Sequence, residues 1–172
     1  MTGAISQMQM LYNPEEDRIL FRVNTTSREQ FRFWLTRRYT MLLLKVLKEH
    51  VEADPDISMQ GTAEAKQAVK SFKQEKAIQS ANFKEQFVEE SNELPLGHEI
   101  PLAFRLTYNV KDKVLSIGIQ PREGQGINMT ITQEINASLA QLLISAAKKG
   151  EWALEAVTPV IPDQRQDNIV IN

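Results

Sequence analysis

Cysteine is absent from this 172-residue chain, which removes disulfide scaffolds, thiolate metal sites, cysteine nucleophiles and thiol redox chemistry together. Only two histidines are present, His50 and His98, so any metal site would have to be completed by carboxylates. No apolar run approaches the roughly 20 residues that span a bilayer. The opening Met-Thr-Gly-Ala-Ile-Ser-Gln lacks the basic and apolar regions of a signal peptide. A cytoplasmic protein with no membrane partner is the expectation. Catalytic motifs are missing too: there is no Gly-x-x-x-x-Gly-Lys, Gly-x-Gly-x-x-Gly, Gly-x-Ser-x-Gly or His-Glu-x-x-His. No catalytic residue, metal ligand or cofactor is assigned, and a non-enzymatic role is expected. Charge of one sign is also lacking, with 20 Lys+Arg against 22 Asp+Glu and a net charge of −2. That balance argues against a uniformly basic nucleic-acid binder while leaving room for a local basic patch.

What is present is enough apolar residue, 42%, to bury the core of one domain over 1–172. An internal repeat organises it. Residues 7–52 lie on residues 103–148 at an offset of 96, without a gap. Met8, Met10 and Tyr12 meet Phe104, Leu106 and Tyr108. Ile19, Phe21 and Val23 meet Leu115, Ile117 and Ile119, and Phe31, Phe33 and Leu35 meet Ile127, Met129 and Ile131. All are spaced by two, as in strands with one buried face. The period then becomes helical: Tyr39, Leu42, Leu43, Val46, Leu47 and His50 overlie Ile135, Ser138, Leu139, Leu142, Leu143 and Ala146. Thr36 and Thr132 stand at the switch, where a threonine oxygen caps a first helical turn.

Each unit therefore reads β-β-β-α, with strands near 7–12, 18–24, 30–35, 103–109, 114–120 and 126–131. The first turns fall at Asn13–Asp17 and Asn109–Asp112, the second at Thr25–Glu29 and Pro121–Gln125. The expected fold is α+β: two units related by a pseudo-two-fold, six antiparallel strands in one sheet or a barrel-like pair, and two packed helices.

Residues 53–102 form the insert. Thr62 to about Glu90 is rich in Ala, Lys, Gln and Glu and free of Gly and Pro, which predicts one long helix. Its apolar positions at Ala65, Ala68, Val69 and Phe72, then Phe83, Phe87 and Val88, leave a polar gap at Lys73 to Lys76. It reads as a solvated connector touching the body at both ends. Alternatively it is an arm whose Phe83 and Phe87 contact a protein partner or a second copy. Leu94 to Pro101 is a proline-pinned loop. The tail 158–172 reads as disordered, or as carrying a short strand at Asn168–Asn172.

His50 lies on the apolar helical stripe and reads as a core histidine with locally satisfied nitrogens. His98-Glu99 is a loop pair without a third partner, and Gly124-Gln125-Gly126 reads as a hairpin turn. Glu15-Glu16-Asp17 and Glu89-Glu90 read as solvated charges. One feature breaks the local rule. Where the second unit has the outward residues Gly118, Asn128 and Thr130, the first has Arg22, Arg32 and Trp34, with Leu20 beside them. Its helix opens with Arg37-Arg38 where the second has Gln133-Glu134, although cations in a first turn oppose the helix dipole. Free N–H groups, guanidiniums and an indole can hold a phosphate or a stacked base. They can equally be paired with Glu15, Glu16, Glu29 or the acidic insert, with Trp34 covered by the long helix. Each unit carries two more basic than acidic residues, while residues 53–102 carry five basic and nine acidic, so the insert can neutralise that face.

The stretches Glu15-Glu16-Asp17-Arg18-Ile19-Leu20-Phe21-Arg22 and Phe31-Arg32-Phe33-Trp34-Leu35-Thr36-Arg37-Arg38 resemble a group of proteobacterial proteins from which no function carries over. In topology the duplicated units are similar to the Whirly, positive-cofactor and PUR-repeat single-strand binders, which use four strands per unit where this chain shows three. The expectation is an interaction or scaffold protein with its binding face on the first unit. Single-stranded nucleic-acid binding through Arg22, Arg32, Trp34, Arg37 and Arg38 is the alternative.

Overall fold

The computed structural model describes residues 3–81, 86–88, 93–111 and 113–154. The first unit contains β1 (Ile5–Asn13), β2 (Arg18–Thr25), β3 (Gln30–Leu35) and α1 (Arg37–Glu52). The insert contributes α2 (Pro55–Ser58) and α3 (Ala63–Ser80). The second unit contains β4 (Arg105–Lys111), β5 (Val114–Gln120), β6 (Ile127–Ile131) and α4 (Gln133–Lys149). The α+β class and the β-β-β-α order of both units are as the periodicity predicts. The strands form two three-stranded antiparallel sheets, β1-β2-β3 and β4-β5-β6, rather than one sheet of six.

The two helices start alike. Thr36 and Thr132, both extended, accept from the N–H groups of Tyr39 and Ile135, three residues on. Each helix then packs against the other unit's first strand, α1 on β4 and α4 on β1. That exchange joins the halves in one core, in which Phe21, Phe33, Leu43 and Leu47 share a cluster with Ile117, Ile131, Leu139 and Leu143. Leu42, expected on the stripe, faces solvent instead.

The offset of 96 holds for the second and third strands: Ile19 pairs with Leu35 as Leu115 pairs with Ile131. It holds for left-handed backbone too. Asp17 and Lys113 share positive φ, and so do Arg28 (φ 60°) and Gly124 (φ 90°), the latter in the loop read as a turn. It fails for the first strand. Tyr12 pairs with Ile19, but Tyr108 pairs with Ile117, two residues out of step. Four residues separate Asn13 from Arg18, whereas two separate Lys111 from Val114. Asn109–Lys111 therefore belongs to β4, not to a turn, and Phe104, expected inside, is 60% exposed ahead of β4.

His50 is fully buried at the junction of the units. Its Nε2–H donates to the carbonyl of Lys113 at 2.9 Å, which fixes the tautomer, and its Nδ1 accepts from Asn136 Nδ2 at 2.8 Å. The nitrogens are satisfied as expected, but by the other unit rather than locally. The equivalent position, Ala146, leaves the opposite corner to Trp152. This residue, 3% exposed, donates its Nε1–H to Asp17 Oδ1 at 2.8 Å and meets Tyr12 edge-on. Each helix end is thus tied to the first turn of the opposite unit.

The inserted helix is shorter than composition predicts. It stops at Ser80, and Ala81 is already extended. Residues Gln86–Val88 bond to the first sheet instead: Gln7 donates to Gln86 O and accepts from Val88 N–H, and Asn24 donates to Val88 O. Tertiary hydrogen bonds there override helical propensity. Phe87 is therefore not helical; Phe83 lies outside the described residues, as does the tail 155–172.

The helix docks on α4 with Ala77 buried and is tied to α2 through its polar gap, while Phe72 is exposed. Lys73 Nζ reaches Asp54 Oδ2 at 2.6 Å and Asp56 Oδ2 at 2.5 Å, and Lys113 stands 3.7 Å from each carboxylate. Burial pushes the Asp54 carboxyl up. The Lys73 bond, the Asp56 N–H and the two lysine charges outweigh it, so the net direction is down. Asp56 is lowered chiefly by its Lys73 bond. Lys73 is pushed down by burial but raised overall by the two carboxylates.

Carboxylates with depressed values stabilise the fold above their unfolded value near about 3.9 and lose that contribution as pH falls through the folded value. A raised lysine stabilises below about 10.4 and loses its contribution as pH rises past its folded value. Urea midpoints should therefore fall at both ends of the range, and Lys73→Met should flatten both limbs. Parallel curves for the two proteins would show that the latch contributes nothing.

Candidate partner-binding face of the first sheet

The outward side chains of the first sheet form cross-strand rows. Gln9, Arg22 and Arg32 make one, Gln7, Asn24 and Gln30 the next, and Leu11, Leu20 and Trp34 a third at the α1 end. Arg22 and Arg32 are directly opposite, an arrangement that is unfavourable unless the charges are otherwise engaged. They are. The Arg22 guanidinium lies 5.3 Å from the centre of the Phe87 ring. Arg32 Nη2 donates to Gly97 O at 3.0 Å and to His98 O at 2.9 Å. Burial, and then the Arg22 charge, depress the Arg32 guanidinium.

The chain after α3 thus straps half of this face. Gln86–Val88 crosses the Gln7, Arg22 and Asn24 positions, and 93–103 runs beside β3, bridging Glu29 with Glu93 and Trp34 with Leu102. The basic strand residues are thus engaged by the insert through a ring and two backbone carbonyls, not through the carboxylates that the charge balance suggests.

The other half stays open. Leu11 is 37% exposed, Leu20 and Trp34 are half-buried, and Leu102 beside Trp34 is 38% exposed. Arg37 and Arg38 stand exposed at the start of α1, three and four residues after Trp34. Arg37 is close enough to Asp17 to help the Trp152 and Tyr12 hydrogen bonds depress that carboxyl. In the second unit, Glu134 at the matching helix start is lowered by its own backbone N–H and by Thr132. Of the five residues picked out from sequence, the structure therefore splits Arg22 and Arg32 from Trp34, Arg37 and Arg38. Leu11 was missed although its signal was present: all three strands carry an apolar residue at the outward position of this row. Leu102 gave none, because its place depends on the path of the loop.

The chain matches no protein-family model, no curated protein and no solved structure.

Among the described residues no three His, Asp or Glu side chains gather as metal ligands, and no helix is long and apolar enough to cross a membrane. A cleft of about 320 Å³ between α1, α3 and α4 is lined by Lys70, Lys73 and Lys113. Their ammonium groups already face Glu52, Asp54 and Asp56.

Proposed function

We propose that this is a non-enzymatic interaction module that binds a protein partner through the open end of its first sheet. The face is the Leu11, Leu20, Trp34 and Leu102 stripe with Arg37 and Arg38 at its margin. One comparison within the molecule carries the reading. The row equivalent to Leu11–Leu20–Trp34 in the second sheet is Asn109–Ser116–Thr130, in register and exposed throughout. The fold accepts polar residues in that row, so the apolar ones are not a requirement of the architecture. Indole and guanidinium are also prominent among the side chains that dominate binding energy at interfaces.

A photo-crosslinking residue placed at Leu11, with the same residue at Ser116 as control, tests this in extracts of the source cells. The expected result is one discrete protein adduct from position 11 and none from 116. Equal labelling would overturn the reading.

Single-stranded nucleic acid is the second reading, favoured by Trp34 beside Arg37 and Arg38 and weakened by the engagement of Arg22 and Arg32. Exchanging Arg37-Arg38 for Gln-Glu should raise stability by about 0.3–1 kcal/mol, because the helix dipole then favours the charge. No tryptophan fluorescence response to a short oligonucleotide at low salt is expected. A response whose salt slope drops by up to about 0.7 for each phosphate that the variant no longer neutralises would put nucleic acid first.

A further inference from the structure

The two sheets treat the outer edges of their third strands differently. Along β3, Trp34 N–H donates to Pro101 O and Trp34 O accepts from Ala103 N–H, each at 2.9 Å, and Gln30 N–H donates to Glu93 O at 2.8 Å. Alternate residues of a strand present their backbone groups to the same edge, so Gln30, Arg32 and Trp34 face away from β2. The β5–β6 register repeats that of β2–β3, with Thr130 opposite Ser116 as Trp34 is opposite Leu20. Asn128 and Thr130 therefore turn their backbone groups away from β5. Among the described residues nothing pairs with them. The β6 edge also carries none of the usual guards against strand addition: Ile127–Ile131 has no charge and no proline, and its pairing with β5 is free of bulges.

We propose that the β6 edge pairs antiparallel with the β6 edge of a second copy of this chain, about a two-fold axis at Met129. The strand's own sequence selects this occupant. Ile127-Asn128-Met129-Thr130-Ile131 shows the same alternation read in either direction. A two-fold at Met129 sets Asn128 of one copy opposite Thr130 of the other, and these are the residues whose backbone groups are unpaired. They become the hydrogen-bonded pairs of the new ladder, while Met129 faces Met129 and Ile127 faces Ile131 as the non-hydrogen-bonded pairs. Side chains match on both faces in that register. Ile127, Met129 and Ile131 are buried and continue one apolar row across the seam. Asn128 and Thr130 are exposed, uncharged and able to hydrogen-bond to each other. The product is a continuous sheet of order β4-β5-β6-β6-β5-β4, and a two-fold contact of this kind closes on itself, leaving no free edge at β6.

Sedimentation equilibrium of the whole chain over a dilution series tests the proposal, together with three variants. The unaltered chain should form a dimer that dissociates on dilution. Thr130→Pro deletes an N–H that points away from β5, so it spares the β5–β6 pairing and should raise the dissociation constant at least about tenfold. Asn128→Lys with Thr130→Lys sets like charges opposite each other across the seam, at positions exposed in the single chain, and should weaken the dimer as strongly. This variant decides the matter if the proline variant fails to fold. Asn128→Lys with Thr130→Glu sets opposite charges face to face only in the register centred on Met129, and should keep the dimer, more weakly at high salt. A monomer at every concentration would overturn the proposal, as would a dimer equally tight in the proline and two-lysine variants. Equal dissociation constants for the two charge variants would overturn the register. Slow hydrogen exchange at the Asn128 and Thr130 amides of a monomeric sample would give the edge to another occupant and overturn the proposal equally.

Discussion

Replacing Trp152 with alanine should lower the stability of the fold by about 3–5 kcal/mol, the cost of removing a large aromatic from a packed core. The ring is buried against Tyr12, and its Nε1–H is held by Asp17 in the first turn of the other unit. Trp152→Phe keeps most of the volume and loses one hydrogen bond to an exposed carboxylate that still accepts from Tyr12 at 2.8 Å. It should cost only about 1–2 kcal/mol. Trp34→Ala removes a half-buried ring on an open face and should cost less than Trp152→Ala. Urea denaturation of the three variants, with unchanged slopes, gives the comparison. Equal losses for the two alanine variants would show that Trp34 is a core residue and would remove it from the binding face. The same reasoning makes Trp152→Phe the proper background for reading Trp34 fluorescence, since the alanine variant would report unfolding.

The duplication is legible in the chain because it rests on two periods, two and 3.6, that change at Thr36 and again at Thr132. The two-residue slip in the first strand is not legible, for a physical reason. A shift of two leaves every side chain on the same face, so Tyr108 fits the pattern equally well opposite Leu115 or Ile117. Trp152 escapes notice because it follows α4 in a short irregular stretch, where no periodicity marks a buried residue. The strap over Arg22 and Arg32 escapes because extended segments such as Gln86–Val88 bind through side-chain amides on a distant strand. Composition there speaks only for helix. Charge is the better guide: an acidic insert beside a basic face points toward cover, although the contacts on the arginines are a ring and two carbonyls rather than carboxylates. The open row is fully written in the sequence at Leu11, Leu20 and Trp34, and the arginines beside it draw attention away from the leucines.

Phe33 and Met129 occupy equivalent inward positions in the two third strands, and both are buried. Truncation to alanine should cost about 3–5 kcal/mol at Phe33 and about 2–5 kcal/mol at Met129, because each empties a site in the one core that both units share. The outward neighbours should part company. Asn128→Ala touches an exposed position and should stay within about 0.5 kcal/mol. Arg32→Ala removes the donor that holds Gly97 and His98 against the first sheet and should cost about 1–3 kcal/mol. Urea titration of the four variants separates the two effects, since the inward pair reports the common core and the outward pair reports the strap. If Arg32→Ala proves as mild as Asn128→Ala, the guanidinium does not fasten the insert. The hold must then come from the backbone bonds of Gln30 and Trp34 to Glu93, Pro101 and Ala103 and from Gln7 and Asn24 on Gln86–Val88, and Arg32 would be available to a ligand whenever the loop at Gly97 lifts.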